Sequence, residues 1–186
     1  DTLADNGAGP VAHTLRYKTV TVGQQGIVYV GNISFKGTHK PDAMMYSMPG
    51  KQGVFPQYNI FDSPSSDGSP ITALASFGDT VLQFRENSMY SINISNPGQP
   101  YAEAIFRNCG VFNPCQVFTT EFGVIFVNRF GCFIYDGQKV ISLTNGKFNE
   151  STWGISEASA LLDASAVPSI GYDPRSQNII ILKNIG

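Results

Sequence analysis

Charged residues are scarce in this sequence. Of its 186 residues 14 % are charged and 42 % are apolar, whereas typical soluble domains have about 25 % charged residues. Coiled coils need charged flanking positions, and disordered segments need weak hydrophobicity with strong net charge. This composition excludes a coiled coil and argues against a disordered tail. The 12 basic residues are scattered and the formal net charge is −2, so no basic cluster drives binding to nucleic acid.

Long apolar runs are also missing. The longest, such as residues 179–182, fall far short of the ~20 residues that a membrane-spanning helix requires. We therefore expect no membrane partner. The sequence begins without Met and without the regions of a signal peptide, and it ends shortly after an apolar run. Because both ends look cut, we expect the chain to be a fragment of a longer polypeptide.

Residues that carry chemistry are few. Cys109, Cys115 and Cys132 are an odd number with no zinc-type spacing, and they are interpreted as small buried side chains. His13 lies in a polar segment, and His39 lies in a Gly- and Pro-bounded segment interpreted as a loop. The sequence has no nucleophile elbow, no zinc-protease motif and no phosphate-binding glycine loop. We therefore assign no catalytic residue, metal ligand, cofactor or small-molecule substrate, and we expect that the protein is not an enzyme.

Strand and turn signals are abundant. The sequence has 19 Gly and 11 Pro, and turn-forming dipeptides recur about every ten residues. Alternation over residues 16–22 and a β-branched run at residues 26–31 predict strands. One short helix is predicted over residues 157–163, with Ser156 as its cap. The sequence therefore predicts an all-β fold.

A weak internal repeat relates two predicted hairpins. When residues 80–94 are shifted by 43 positions, apolar residues fall on apolar residues; the pairs are Leu82 and Ile125, Phe84 and Val127, and Tyr90 and Phe133. An apolar stretch precedes each hairpin, at residues 71–77 and at residues 115–120. A less regular third copy covers residues 166–182.

The spacing of this repeat is typical of one architecture. A period of about 40 to 50 residues with about four strands indicates β-propeller blades. The approximate units are residues 15–62, 69–108, 112–150 and 164–186. We expect a single propeller-type domain with about four antiparallel blades, or part of a larger propeller. The alternative is a β-sandwich or barrel, because all-β chains often repeat hairpins at similar spacing.

Several apolar and aromatic side chains of the first unit are candidates for protein contacts, since interface cores are rich in Met, Tyr and Phe. The candidate interface residues are Met44, Met45, Tyr46, Met48, Phe55 and Tyr58. The core of a blade would use the same Met and Tyr residues, and that reading stays open. Phe55, Tyr58, Phe61 and Tyr101 are interpreted as loop aromatics that could stack on sugar rings or fill gaps between blades.

Several segments, in order, resemble virion structural proteins of tailed bacteriophages. They include DAMMYSMPG at residues 42–50, VFP at 54–56, ITAL at 71–74, LQFRENSMYSINIS at 82–95, TEFGV at 120–124, YDGQKV at 135–140 and STW at 151–153. The likeness covers roughly residues 15–182. The sequence is similar in outline to the propeller-bearing tail nozzle, head-to-tail connector and DNA-stabilising tail-accessory proteins of short-tailed phages.

The resemblance implies a mechanical role. It implies a β-rich body, made in the host bacterial cytoplasm and incorporated in the tail or connector of the virion. Its expected partners are copies of itself in a ring, with a hexamer as the expected number, and neighbouring virion proteins. Non-specific contact with packaged DNA is also expected. The alternative function is a carbohydrate-binding propeller, an adhesin or lectin, which predicts polar and aromatic sites repeated once per blade.

Overall fold

The computed structural model describes residues 15–62, 68–148, 153 and 167–182. Within these residues the chain forms fourteen strands and two short 3-10 turns, so the prediction of an all-β fold is confirmed. The strands are β1 (Arg16–Val22), β2 (Val28–Phe35), β3 (Thr38–Tyr46), β4 (Ile60–Asp62), β5 (Ala73–Phe77), β6 (Thr80–Phe84), β7 (Ser88–Asn93), β8 (Tyr101–Arg107), β9 (Val117–Thr120), β10 (Gly123–Asn128), β11 (Gly131–Tyr135), β12 (Val140–Ser142), β13 (Ser169–Asp173) and β14 (Asn178–Leu182). The 3-10 turns are Gln24–Gly26 and Pro114–Gln116. The helix predicted over residues 157–163 lies outside the described residues.

The strands form four antiparallel sheets in chain order. Sheet 1 (β1–β4), sheet 2 (β5–β8) and sheet 3 (β9–β12) each have four strands, and sheet 4 (β13–β14) has two. In every sheet, strands that are consecutive in sequence are hydrogen-bonded neighbours. Each sheet is therefore an open antiparallel meander, and one sheet lies in each of the four repeat ranges given above.

Two cores hold the sheets together face to face. The first core lies between sheets 1 and 2 and consists of Ile27, Tyr29, Met44, Tyr46, Ile71, Leu74, Val81, Tyr90, Ile92 and Ile94. The second core lies between sheets 2 and 3 and consists of Ala73, Ala75, Leu82, Phe84, Met89, Cys109, Val111, Val124, Phe126 and Tyr135. A third cluster contains Leu15, Val30, Ile33, Ala43, Met45 and Phe55. Because side chains alternate along a strand, one sheet contributes to two cores.

The central strands show why the sequence repeat exists. Every residue of β6 and of β10 is buried. In β6, Val81 faces the first core and Leu82 the second, and in β10, Val124 and Phe126 face the second core. A strand covered on both faces needs apolar residues at nearly every position. The 43-residue shift therefore aligns strands with the same environment.

The first strands of successive sheets contact one another. β1 contacts β5, β5 contacts β9, and β9 contacts β13. Hydrogen bonds join β1 to β5, because the Leu74 N–H donates to Thr19 Oγ1 at 3.0 Å and Ser76 Oγ donates to the Val22 carbonyl at 2.6 Å. Adjacent sheets are thus fixed to each other along their first strands.

Three residues that were interpreted as loop residues lie on strands. His39 lies on β3, Phe61 lies on β4, and Tyr101 begins β8. Pro41 interrupts the strand signal in β3, but the pairing of β2 with β3 shifts register between Gly31 and Ile33, and such an irregularity tolerates proline. Among the described residues, no helix is long and apolar enough to cross a lipid bilayer.

Candidate functional site: the junctions between sheets

In the part of the chain that the structure describes, two connections lead from one sheet into the first strand of the next. Residues 68–72 lead into β5 of sheet 2, and residues 108–116 lead into β9 of sheet 3. Each contains exposed residues and a buried part, at Ile71 in the first and at residues 109–111 and 116 in the second. Backbone N–H and carbonyl groups in the buried parts need partners. Side chains from the sheets supply those partners, and we call these two connections, with the side chains that bind them, the junctions.

Arg85 directly follows β6 and is completely buried. Its Nη1 donates to the Ser69 carbonyl at 2.7 Å and to Ser69 Oγ at 2.9 Å. The guanidinium carbon lies 5.0 Å from the centre of the Tyr90 ring, a cation–π distance. The Arg85 carbonyl accepts a hydrogen bond from the Val111 N–H at 2.9 Å. This residue therefore binds both junctions at once.

Asn128 ends β10 and is 4 % exposed. Its Nδ2 donates to the Asn108 carbonyl at 3.0 Å and to the Gly110 carbonyl at 2.9 Å, and its Oδ1 accepts from the Phe130 N–H at 2.9 Å. Arg85 and Asn128 are 43 positions apart, the same shift as the internal repeat. Each side chain donates hydrogen bonds to the connection that leads into its own sheet. The 43-residue repeat therefore also relates two buried polar side chains, Arg85 and Asn128, which we call the clamps.

Gln116 completes the second junction. It is 1 % exposed. Its Oε1 accepts from the Phe112 N–H at 2.8 Å and the Asn113 N–H at 3.0 Å, and its Nε2 donates to the Val127 carbonyl at 2.8 Å. One amide thereby ties the 3-10 turn Pro114–Gln116 to the central strand β10.

Asn32 plays a similar part at the first junction. It is 5 % exposed and adopts a positive φ of 56° on β2. Its Nδ2 donates to the Ile71 carbonyl at 3.1 Å, and its Oδ1 lies 3.1 Å from Nε2 of His39. The Ile71 N–H donates to the Pro41 carbonyl at 2.8 Å. Sheet 1 therefore provides hydrogen-bond partners for both the N–H and the carbonyl of Ile71, which lies in the connection to sheet 2.

Gly110 allows the closest backbone approach of the second junction. A Cβ atom at this position would lie 2.3 Å from the Arg85 carbonyl oxygen and 2.4 Å from the Glu86 carbonyl oxygen. No side chain fits between Gly110 and the backbone of residues 85–86. The contacting atoms are backbone atoms, which cannot move aside as the end of a flexible side chain can. Glycine is therefore a packing requirement at this junction.

The chemistry of the junctions is that of neutral hydrogen bonds and one buried cation. Cys109 and Cys132 are buried as predicted, but Cys115 is exposed, so its prediction was wrong. Burial raises the pKa of the Cys109 thiol, and it raises the pKa of the Cys132 thiol to about 11. Both of these buried thiols are protonated at neutral pH, so neither is an activated nucleophile. In the part of the chain that the structure describes, no three His, Cys, Asp or Glu side chains come together to hold a metal ion. What this arrangement can do is hold sheets in fixed relative positions.

Two cavities lie near the junctions and between the sheets. One of about 360 Å³ is lined by Lys18, Asn32, residues 70–72 and residues 112–114. Another of about 290 Å³ lies between sheets 2 and 3 and has Glu103 in its wall. Among the described residues that line these two cavities, Glu103 is the one carboxylate, whereas glycoside hydrolysis normally uses a pair.

The candidate interface residues fall into two groups. Met44, Met45, Tyr46 and Phe55 are at most 6 % exposed and lie in the first core or the third cluster. Alternation along β3 directs Met44 and Tyr46 into the first core and Met45 into the third cluster on the opposite face of sheet 1, where Phe55 also packs. These four side chains therefore do not form a surface patch. Met48 is half-buried and Tyr58 is 70 % exposed, so these two alone reach the surface.

The residues considered for sugar stacking do not form a repeated site. Phe55 is buried, Phe61 is half-buried against the first core, and Tyr101 lies on the outer strand β8. Asn87 and Asn128 lie near the ends of the central strands and use their side chains within the fold. Asn87 Oδ1 accepts from Arg129 at 3.3 Å, and Asn128 Nδ2 donates to the Gly110 carbonyl at 2.9 Å. Hydrogen bonds within the fold therefore explain the positions of both asparagine side chains without a sugar-binding site.

Arg85, Gln116 and Asn128 were not among the candidate residues from the sequence. An arginine in a predicted turn and two amides near turns are normally solvated, so composition gives no reason to bury them. The only available signal was the 43-residue shift, which places Arg85 on Asn128. No protein-family model matches the chain, and no curated protein matches it with significant similarity. Function is therefore inferred from geometry and from the phage resemblance.

Proposed function

We propose that the four sheets are blades of a β-propeller or of part of a larger one. The support is positional. The first strands β1, β5, β9 and β13 contact in series, while β4, β8 and β12 end their sheets on the opposite edge. This is the order expected when meanders radiate from a common axis. A crystal structure with the first strands around one axis would support it, whereas two layered sheets would support the sandwich alternative.

We further propose that the protein is a structural component of a bacteriophage virion. In this proposal it is a tail or head-to-tail connector protein that acts by protein–protein assembly around the passage for DNA. Copies of the chain form a ring, for which we expect six, and contact neighbouring virion proteins, with non-specific contact to DNA. The sequence resemblance over roughly residues 15–182 suggests this role.

The observation that carries the proposal is the pair of buried clamps at Arg85 and Asn128. Each binds a connection between sheets through two hydrogen bonds. Buried polar networks whose members are satisfied rigidify a fold. A connector must keep its shape while DNA and neighbouring proteins exert force on it. Hydrogen bonds at the junctions restrict movement between adjacent sheets, which is consistent with such a role.

Peptide mass spectrometry of gradient-purified phage particles tests the virion role. Particles are washed at high salt to remove adsorbed proteins, and the chain is counted against the major capsid protein. We expect a low, fixed copy number of about one ring per particle. An abundant host protein measured in the same fractions is the control for contamination. Absence from particles, or a copy number that follows the control, overturns the proposal and directs attention to glycan binding.

A further inference from the structure

Two cavities adjoin at the first strand of sheet 1. The smaller, of about 160 Å³, is lined by Arg16, Tyr17, Lys18, Asn32, Ser34 and His39. The larger, of about 360 Å³, is the cavity at the junctions described above, and Lys18 and Asn32 line it as well. Because these two residues belong to both walls, one ligand can occupy both cavities at once.

Strand pairing places three side chains of the smaller cavity in a row. Arg16 of β1 stands opposite Ser34 of β2, and Ser34 stands opposite His39 of β3. Directly opposite residues share a face of the sheet, with Cβ atoms about 4.5–5.5 Å apart. A hydroxyl group thus lies between a guanidinium and an imidazole, and the Lys18 ammonium belongs to the same wall. The basic residues are scattered in sequence, and the pairing of β1, β2 and β3 assembles this group.

The walls of both cavities carry positive charge without negative charge. Among the described residues that line them, none is Asp or Glu. Arg16 and Lys18 are exposed, and the one ion pair in the described part of the chain joins Lys40 to Asp62 at 3.6 Å. Within that part, the side chains of Arg16, Lys18 and Ser34 have no hydrogen-bond partner. Their donors are available to a ligand, and the charge that they favour is negative.

Asn32 fixes the imidazole of His39 at the boundary between the two cavities. It is 5 % exposed. Its Nδ2 donates to the Ile71 carbonyl at 3.1 Å, so its Oδ1 faces His39 and accepts from Nε2 at 3.1 Å. A side chain that is already held in place costs a ligand little entropy to order. This part of the wall is therefore preorganised.

The larger cavity has a wall of a different kind. It contains the half-buried Phe112 and the exposed residues Pro70 and Pro114. Asn113 also lines it, and while its Oδ1 accepts from the Cys115 N–H at 3.1 Å, its Nδ2 has no partner among the described residues. Nucleobases are bound by stacking on aromatic rings and by hydrogen bonds to amide side chains. This cavity therefore suits a planar ring with polar edges.

We propose that the two adjoining cavities form a nucleotide-binding site. The phosphate group lies in the smaller cavity and accepts hydrogen bonds from Arg16, Lys18 and Ser34, and the base lies in the larger cavity against Phe112. Guanidinium, ammonium and hydroxyl donors are common partners of phosphate oxygens. The ligand is a free nucleotide or a nucleotide unit of a single strand, since both present the same groups. The inference goes beyond the proposed virion role and does not rest on it, because it uses only the residues around the two cavities.

Isothermal titration calorimetry of the whole chain tests the site with four probes. These are thymidine monophosphate, thymidine, inorganic phosphate and a short oligodeoxythymidine. We expect the monophosphate to bind with a dissociation constant below about 1 mM, and thymidine and inorganic phosphate to bind at least about tenfold more weakly, because each fills one cavity. Tighter binding of the oligonucleotide than of the monophosphate identifies a single strand as the source of the nucleotide, and weaker or equal binding identifies the free nucleotide. Binding of neither up to about 5 mM, or inorganic phosphate that binds as tightly as the monophosphate, overturns the proposal.

Charge-removing variants locate the phosphate. Arg16→Ala and Lys18→Ala should each weaken binding of the monophosphate about tenfold or more, because each removes a charged donor to phosphate. Lys147→Ala and Arg175→Ala remove exposed cations that line neither cavity, and we expect them to leave the affinity unchanged. Circular dichroism verifies that each variant is folded. Equal effects of the two pairs of variants overturn the assignment of the site.

A variant of the larger cavity locates the base. Phe112→Leu keeps an apolar side chain but removes the aromatic face, so we expect it to weaken binding of the monophosphate about fivefold and to leave binding of inorganic phosphate unchanged. Phe130→Leu is the matched control, because Phe130 is 46 % exposed and lines neither cavity. If Phe112→Leu weakens both ligands equally, or neither, the base does not lie in the larger cavity and the proposal is wrong.

Discussion

At the residue scale, Tyr29 and Gln83 are buried side chains of the first-core region whose polar atoms have no hydrogen-bond partner among the described residues. Tyr29 is 1 % exposed and its hydroxyl is unpaired. Gln83 is fully buried, and both polar atoms of its amide are unpaired. Gln83 lies opposite Leu74 and Tyr90, which belong to the first core. Each unpaired buried group costs about 1–3 kcal/mol, so the first core is less stable than its apolar content implies.

Tyr29 makes the stability of the fold sensitive to alkaline pH. Burial, with a smaller contribution from Tyr46, raises the pKa of Tyr29 from 10.0 to about 12. Between these values the folded protein binds a proton that the unfolded protein has lost. The corresponding stability is fully present below pH 10 and is lost as the pH rises towards 12.

Tyr29→Phe is expected to reduce this loss. The variant keeps the ring that stacks on Tyr46 at 6.0 Å and removes a hydroxyl without a partner, so it should be at least as stable as the parent at pH 7. Between pH 10 and 12 its free energy of unfolding should fall by about 2–3 kcal/mol less than that of the parent. Urea unfolding at several pH values measures both.

Tyr58→Phe is the matched control for this prediction. Its side chain is 70 % exposed, so the variant should follow the parent at every pH. If Tyr29→Phe and the parent lose stability in parallel above pH 10, burial of the Tyr29 hydroxyl does not explain the alkaline loss.

At the element scale, the junctions add hydrogen bonds to the apolar contacts between sheets and to the hydrogen bonds that join β1 to β5. The connection 108–116 is bound from sheet 2 by the Arg85 carbonyl and from sheet 3 by Asn128, and its own Gln116 donates to the Val127 carbonyl of sheet 3. Its connection therefore acts as part of both sheets. A change that displaces it should loosen the contact between sheets 2 and 3 while leaving the strands themselves intact.

Gly110→Ala is the sharpest test of the second junction. The added methyl group would lie 2.3 Å from the Arg85 carbonyl oxygen, and overpacking of this kind costs about 1–3 kcal/mol, occasionally more. We expect the variant to lose at least about 2 kcal/mol of unfolding free energy in urea. Gly53→Ala, with no atom within 4 Å of the new Cβ, should be neutral or slightly stabilising. Equal effects of the two substitutions would show that the close approach at Gly110 is not maintained in solution.

At the scale of the whole molecule, each sheet contacts its neighbours in chain order. Stability in such a series is close to a sum of the intrinsic stabilities of the units and the interfaces between neighbours. Sheet 2 packs on both faces, against the first and the second core. Sheet 4 has two strands among the described residues, and its strand β14 has Ile180 at 50 % and Leu182 at 68 % exposure.

Hydrogen exchange should reveal a difference in local stability between sheet 2 and sheet 4. Amides of β6 and β7 should exchange most slowly, and amides of β13 and β14 fastest, because local opening requires less free energy where few apolar contacts are broken. Exchange of peptides from the native chain, read by mass spectrometry, measures both classes in one sample. Equal protection of sheets 2 and 4 would contradict nearest-neighbour behaviour and indicate one cooperative unit.

Strand positions were the most predictable part of this protein. The predicted strand over residues 16–22 is β1, and the predicted hairpin over residues 80–94 is β6 and β7. These segments alternate or are continuously apolar, and they are bounded by turn residues, which are local properties. β3 and β8 were not predicted, because Pro41 interrupts one and the small and charged residues of the other weaken the β-signal.

The sequence by itself determined the strand class, the turn positions and the 43-residue spacing, because these depend on neighbours within a few residues. Tertiary structure decided which residues the sheets bury. Met44 and Met45 are equally apolar in sequence, yet they lie in different clusters on opposite faces of sheet 1. Arg85 and Asn128 carry turn chemistry in sequence, and they became clamps only because a connection from another sheet passes within hydrogen-bond distance. Such contacts depend on which sheets pack together, and that information is not local.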